Sequence, residues 1–210
     1  MAVFCFDFDG TLADTVSLEA VYYVDLCKKH GITVFQTIDD MKEACRGNYY
    51  DFCDDHHIDP AVLECISVEY HALLEEKNIA IPLFEGIPEL LNELTAAGHR
   101  LYVVSMNDAE CIRRCLAETG VGETEGVYGW RDCKNKVDTL KELLIRHDGE
   151  ELYFISDTVG DMVEGAEAGV THNIAVAYGW GVAEDLFATA AEKVFGTVAE
   201  LGTFLKDIPV

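Results

Sequence analysis

The sequence predicts an α/β fold, a doubly wound parallel-sheet core with a small all-helical segment inserted after the first strand. Three observations carry this. Ala2 to Phe6 is an unbroken apolar run, as in a strand buried on both faces. Residues 15–82 show helical spacing and no convincing strand. From residue 87 onward, short apolar runs alternate with helical patterns, and repeated strand–helix units imply a parallel sheet with helices on both faces. The expected division is a core of residues 1–14 and 83–210 and an insert of residues 15–82.

Taken in order, the first strand ends abruptly in Asp7-Phe8-Asp9-Gly10-Thr11. Leu18, Tyr22 and Leu26 then share one helical face with Val21 beside them, and Gly31 marks the stop. Ile38 to Cys45 and Tyr49 to His57 read as short helices around Arg46-Gly47-Asn48. Pro60 suits the first turn of a further helix carried by Leu63, Ile66, Tyr70 and Leu74. Pro82 and Gly86 punctuate the return. Ile87 to Ala97 is a helix ended by Gly98, Arg100 to Val104 a strand, and Ala109 to Glu118 a helix. Gly126 to Trp130 is a short strand, Val137 to His147 a helix, and Leu152 to Ser156 a strand running into Asp157. Val159 to Ala168 is a helix stopped by Gly169, and Asn173 to Ala177 a strand. Ala183 to Ala190, Lys193 to Phe195 and Val198 to Leu205 complete the pattern.

Composition narrows the function. With 210 residues, half of them hydrophobic, the chain can bury a sizeable core. A net charge of −24, from 39 acids against 15 bases, argues against binding nucleic acid or an anionic membrane. The eight cysteines are scattered with no CxxC pair, and several sit in apolar runs. The N-terminus does not read as a signal peptide, and no apolar stretch approaches a membrane span. The expectation is a soluble, cytoplasmic protein with free thiols, monomer or homodimer, acting on a small metabolite. Cys53, His56 and His57 read as ordinary helix residues, and the seven histidines as surface or helix-end residues without a role.

In parallel α/β sheets, ligands collect at the carboxyl ends of the strands. Three such ends carry polar groups: Asp7 and Asp9, then Ser105-Met106-Asn107-Asp108, then Asp157. Asp161 follows Asp157 by one helical turn, so both can face one point at a helix N-terminus. Two carboxylates as close as Asp7 and Asp9 are costly unless a cation binds or one stays protonated. Gly10 permits a sharp turn and close ligand approach, and Thr11 adds a hydroxyl and a backbone N–H. A carboxylate and carbonyl oxygen set suits Mg²⁺ better than a thiophilic metal. Ser105 and a lysine, Lys134 or Lys136, supply donors for phosphoryl oxygens.

DFDGT, then VVSMN, then a lysine, then DTVGD resembles the haloacid dehalogenase (HAD) superfamily. The likeness is greatest to its phosphoglycolate phosphatase-like branch, which carries a helical cap on a Rossmann-like core. LFEGIPELLNELTAAGHRLYVVS and AGVTHNIAVAYGWGVAEDL extend it over nearly the whole chain. The resemblance implies a phosphatase in which Asp7 is the nucleophile, forming an aspartyl-phosphate, and Asp9 the general acid and then base. It implies Mg²⁺ held by Asp7, the carbonyl of Asp9, Asp157 and Asp161, with Ser105 and Lys136 on the phosphoryl group. Gly10, Thr11, Met106 and Asn107 would line the substrate, with Arg46 and Asn48 reaching it from the cap. Ser156 stands where the family usually has Gly, the lysine lacks its usual following proline, and Ser105 stands where Thr is common. The substrate expected is a small phosphate monoester, phosphoglycolate-like or a sugar phosphate. A phosphomutase and a non-catalytic phosphate-ester binding module are the alternatives. A phosphonate hydrolase would need a cap lysine; Lys42 is the nearest, and nothing in the sequence marks it.

Overall fold

The run Ala2–Phe6 forms strand β1, and all five of its side chains are buried, as its uninterrupted apolarity requires. The computed structural model describes residues 1–44, 49–132 and 135–210. Arg46, Asn48 and Lys134, together with Cys45 and Cys133, lie outside the described residues.

After β1 the chain enters helices α1 (Thr15–Val21), α2 (Tyr23–Lys29), α3 (Ile38–Ala44), α4 (Tyr49–Asp55) and α5 (Pro60–Glu76). It then alternates: α6 (Ile87–Ala96), β2 (Arg100–Val104), α7 (Ala109–Glu118), β3 (Gly126–Tyr128), α8 (Lys136–Arg146), β4 (Glu151–Ser156), α9 (Val159–Ala168), β5 (His172–Val176), α10 (Ala183–Phe187), β6 (Lys193–Phe195) and α11 (Val198–Lys206). Among the described residues these strands make one six-stranded sheet, ordered β3-β2-β1-β4-β5-β6, with every pair parallel.

That order decides where the site lies. β1 sits between β2 and β4, with Phe6 level with Val103 and Ile155. The carboxyl ends of three strands therefore emerge side by side, where the chain's winding reverses, the usual place for a ligand in an open α/β sheet. One face of the sheet packs Phe4, Phe6 and Ile155 against α6 and α11; the other packs Cys5, Tyr102 and Phe154 against α8. The insert has its own apolar cluster, including Tyr23, Phe35, Phe52, Ile66 and Tyr70. α5 buries Leu63, Ile66, Tyr70 and Leu74, with Pro60 at its start behind the Asp59 cap.

Several local expectations are corrected. The first helix of the insert breaks at Tyr22 into α1 and α2. The break turns Tyr23, Val24, Leu26 and Cys27 inward and leaves Val21 exposed. The strand at Gly126 ends at Tyr128, before Trp130, and α10 stops at Phe187. His99 is buried, not superficial, and His147 does end α8 but is buried there. His99 Nδ1 accepts the Ala2 N–H at 3.3 Å, satisfying the start of β1, and His147 Nε2 pairs with the Tyr102 hydroxyl at 2.9 Å. Each supplies a polar partner that hydrophobic periodicity does not register. Among the described residues Cys5, Cys27, Cys53, Cys65, Cys111 and Cys115 are free, and no helix is long and apolar enough to cross a membrane.

Candidate active site

The loop after β1 folds back on itself. Leu12 and Ala13 N–H both donate to the Phe8 carbonyl, at 3.0 and 2.8 Å, and Gly10 N–H donates to Ala13 at 2.9 Å. Gly10 is left-handed, φ +75°, and a Cβ there would collide with the Asp157 carboxylate. The two ends of the motif set are thus in direct contact. Asp157 Oδ1 accepts the Thr11 hydroxyl at 3.0 Å, and Oδ2 accepts the Trp180 backbone N–H at 2.6 Å. Trp180 arrives on the loop after β5, whose Gly179 and Gly181 pass so close to Gly10 and Asp157 that neither has room for a side chain.

Lys136 opens α8 behind its Asn135 cap, and α9 begins behind Thr158, whose hydroxyl accepts the Asp161 N–H at 3.1 Å. These two helix starts deliver an ion-pair network. Lys136 Nζ lies 3.0 Å from Asp7 Oδ1 and 2.8 Å from Asp161, with all three side chains under a tenth exposed. The Ser156 hydroxyl donates to Asp161 as well. Asn107 gives its side-chain amide to both oxygens of Asp9, at 3.1 and 3.0 Å, while its backbone N–H donates to Ser105 Oγ at 3.2 Å.

Burial and mutual repulsion set the electrostatics. Burial pushes Asp7 well above the ordinary carboxylate range; Lys136 opposes this, and Asp161, Asp157 and Asp9 add to it. Burial lifts Asp157 to about 7 against the Trp180 N–H bond. Asp9 is also raised by burial, with the Asn107 bond and the charge of His71 pulling the other way. Burial disfavours the Lys136 charge, but Asp161 and Asp7 more than offset it and hold the ammonium charged.

A family model described as haloacid dehalogenase-like hydrolase matches residues 1–169. The chain belongs to the haloacid dehalogenase-like hydrolases. Solved structures agree in fold. One described as a predicted phosphatase from Clostridium acetobutylicum is 18% identical, with TM-score 0.80 and 99% of each chain covered. A predicted phosphoglycolate phosphatase from Haemophilus somnus is 16% identical, with TM-score 0.73 and 97% of each chain covered. CbbY from Rhodobacter sphaeroides, in complex with xylulose-(1,5)bisphosphate, is 18% identical, with TM-score 0.74, covering 99% of this chain and 100% of its own. No curated protein matches the sequence.

In this hydrolase, then, Asp7, Asp9, Gly10, Thr11, Ser105, Asn107, Lys136, Asp157 and Asp161 all gather at one sheet edge. Two carry details that the sequence does not specify. The Thr11 hydroxyl is engaged with Asp157, and Met106 is about half exposed at 48%. Hydrolases of this family generally use Mg²⁺. Among the described residues no three acidic, His or Cys side chains are already drawn together as a metal cage, because Lys136, Thr11, Ser156 and Trp180 hold the carboxylates. The donor set nevertheless fits a hard dication. It is all oxygen, and the raised Asp7 and Asp157 mark excess negative charge, beyond what the Lys136 ammonium offsets, that a cation relieves.

Residues of the insert that no motif in the sequence marks also bear on this edge. Lys42 of α3 donates to the Gly179 carbonyl at 2.6 Å, its Nζ 6.0 Å from the Trp180 ring centre, and that ring packs on the insert's apolar cluster. Burial raises Glu19 of α1, with the charges of Asp9 and Asp157 adding to it, and the charge of His71 of α5 bears on Asp9. Glu19 carries one usable signal: it lies one helical turn beyond the buried Thr15 and so shares its inward face.

Proposed function

We propose that this protein is a Mg²⁺-dependent phosphatase for a small phosphate monoester, phosphoglycolate-like or a sugar phosphate, working through an aspartyl-phosphate. The observation that carries it is the division of labour between the two acids of the first loop. Asp7 is buried against the Lys136 ammonium, 3.0 Å away, whereas Asp9 is held at both oxygens by Asn107. The first contact supports a fixed nucleophile at Asp7. The affinity of Asp9 for a proton, raised by burial, supports its role as the proton carrier.

An Asp7 oxygen attacks phosphorus in line, and the departing alkoxide takes the proton of Asp9. Asp9, now a carboxylate, removes a proton from water, whose oxygen attacks the aspartyl-phosphate. Phosphate leaves, Asp7 is regenerated, and Asp9 is protonated again. Lys136 supplies fixed positive charge beside the transferring group, and Ser105 lies one step from Asp9 through Asn107, where its hydroxyl can meet a phosphoryl oxygen. Mg²⁺, when bound by Asp7, the carbonyl of Asp9, Asp157 and Asp161, supplies charge neutralisation at the phosphoryl oxygens. The helical insert, bonded to the core through Lys42 and Gly179, acts as the cap that excludes water.

The test is direct. Protein with Mg²⁺ should hydrolyse p-nitrophenyl phosphate, EDTA should stop it, and Asp7→Asn should abolish it. Turnover retained in Asp7→Asn removes the covalent route.

A further inference from the structure

We propose that the peptide joining Gly179 to Trp180 couples the helical insert to the metal site, and that Lys42 is the positioning residue that fixes it. This deepens the phosphatase reading and rests on it, because that reading makes Asp157 a Mg²⁺ ligand.

Two hydrogen bonds meet at this peptide. On one side Lys42 Nζ, from α3, donates to the Gly179 carbonyl at 2.6 Å. On the other, the Trp180 N–H donates to Asp157 Oδ2, also at 2.6 Å. The carbonyl and the N–H belong to one planar trans group and point in opposite directions, so neither turns without the other. The ammonium also polarises that group. Electron density drawn to the carbonyl oxygen leaves the N–H a stronger donor to Asp157.

The flanking residues do not hold the peptide by themselves. It lies between Gly179 and Gly181, so its plane is set by its partners more than by backbone preference. Close packing excludes side chains there: a Cβ at Gly179 would strike the Gly10 carbonyl and the Asp157 carboxylate, and one at Gly181 the Asp157 carbonyl. Just ahead, the Tyr178 hydroxyl donates to the Thr11 carbonyl at 3.0 Å, and the Thr11 hydroxyl donates to Asp157 Oδ1 at 3.0 Å. Asp157 is thus gripped at one oxygen from the loop after β1 and at the other from this strap. The second grip is the one tied to the insert. The Trp180 ring packs on the insert's apolar cluster, with Lys42 Nζ 6.0 Å from its centre, so the insert holds Trp180 by its ring as well as through its peptide.

With the insert seated, Lys42 fixes the peptide and Asp157 presents its oxygens in one orientation. With the insert lifted, the ammonium returns to water, and a peptide between two glycines is free to turn its N–H away from Asp157. Mg²⁺ therefore binds more tightly to the closed arrangement, and by reciprocity Mg²⁺ favours closure. Removing a group that directly orients a metal ligand costs about 10–100-fold in affinity; Lys42 acts one bond further out, so its loss should cost about three- to tenfold.

The experiment measures Mg²⁺ binding to the full chain by titration calorimetry in wild type, Lys42→Met and Lys42→Arg, with Tm recorded in EDTA and in Mg²⁺. Lys42→Met should raise the Mg²⁺ Kd by about three- to tenfold and shrink the Mg²⁺-induced rise in Tm, leaving Tm in EDTA close to that of wild type. Lys42→Arg keeps a charged donor and should recover most of the affinity. In wild type Mg²⁺ should slow amide exchange in α3; in Lys42→Met it should not. An unchanged Kd in Lys42→Met, with or without a fall in Tm in EDTA, overturns the coupling and leaves the phosphatase reading intact. So does tighter binding, the result expected if Lys42 merely repels a second cation. Should Lys42→Met fail to fold, the exchange measurement on wild type decides, and no Mg²⁺-dependent protection of α3 overturns the coupling. A wild type that takes up no Mg²⁺ overturns it too; one that also hydrolyses no p-nitrophenyl phosphate overturns the phosphatase reading as well.

Discussion

Replacing Lys136 with methionine should destabilise the protein in a way that depends steeply on pH. The ammonium is 6% exposed and sits 3.0 Å from Asp7 and 2.8 Å from Asp161, themselves 7 and 9% exposed. At an effective dielectric of about 20, each contact is worth roughly 5–6 kcal/mol of attraction, much of it cancelled by taking three charges out of water. Removing only the cation leaves the desolvation with no compensation, and breaking buried pairs in this way costs about 3–5 kcal/mol. For a chain of 210 residues that corresponds to a fall in Tm of roughly 6–20 °C. The sign of the pH effect follows from Asp7. Its folded-state pKa already lies above the ordinary value, and losing the ammonium raises it further. A carboxyl raised on folding costs nothing below its unfolded pKa, and its penalty grows as pH climbs to the folded value. Thermal unfolding followed by circular dichroism in EDTA should therefore show a large Tm deficit at pH 8 that shrinks towards pH 5. The double variant Lys136→Met/Asp161→Asn should recover part of the loss at pH 8. A deficit under about 2 °C, or one independent of pH, would refute the view that this network compensates buried charge.

Other outcomes can be checked separately. Asp157, lifted to about 7, makes the metal-free protein lose stability as pH rises from the ordinary carboxylate range through 7. Mg²⁺ should accordingly raise Tm more at pH 8 than at pH 5.5, which a thermal-shift series with and without EDTA would measure. Gly179→Ala places a methyl against the Gly10 carbonyl and the Asp157 carboxylate, so it should cost about 1–3 kcal/mol in urea unfolding, and activity should fall further than that loss explains. Lys42→Met keeps the stem but removes the bond to the Gly179 carbonyl. It should raise KM severalfold and leave Tm within about 2 °C; a change in Tm with no change in KM would make Lys42 a purely structural contact. Asp9→Asn should reduce turnover by about 10²–10⁴, the usual contribution of a positioned proton donor.

What could be read along the chain is what local chemistry encodes. Ala2–Phe6 is apolar without a break, so it becomes a strand buried on both sides, and the acids that follow must emerge at its end. The helices of the sheet region begin and stop close to where caps and periodicity place them. Ala109–Glu118 and Val159–Ala168 do so to the residue, each behind a side-chain cap, Asp108 and Thr158. The spacing of Asp157 and Asp161 alone brings both to one helix start.

Tertiary structure decided what periodicity cannot carry. That Lys136 bridges Asp7 and Asp161 depends on how α8 and α9 meet the sheet, not on any feature near residue 136. The burial of His99 and His147 depends on partners 97 and 45 residues away. Lys42 looks like an ordinary helix residue until its ammonium meets the Gly179 carbonyl, and nothing near Trp180 in the chain announces that its N–H meets Asp157. A helix or strand is specified by neighbours a few residues apart, whereas a pair of groups that must find one another across the chain is specified only by the packing that brings them together.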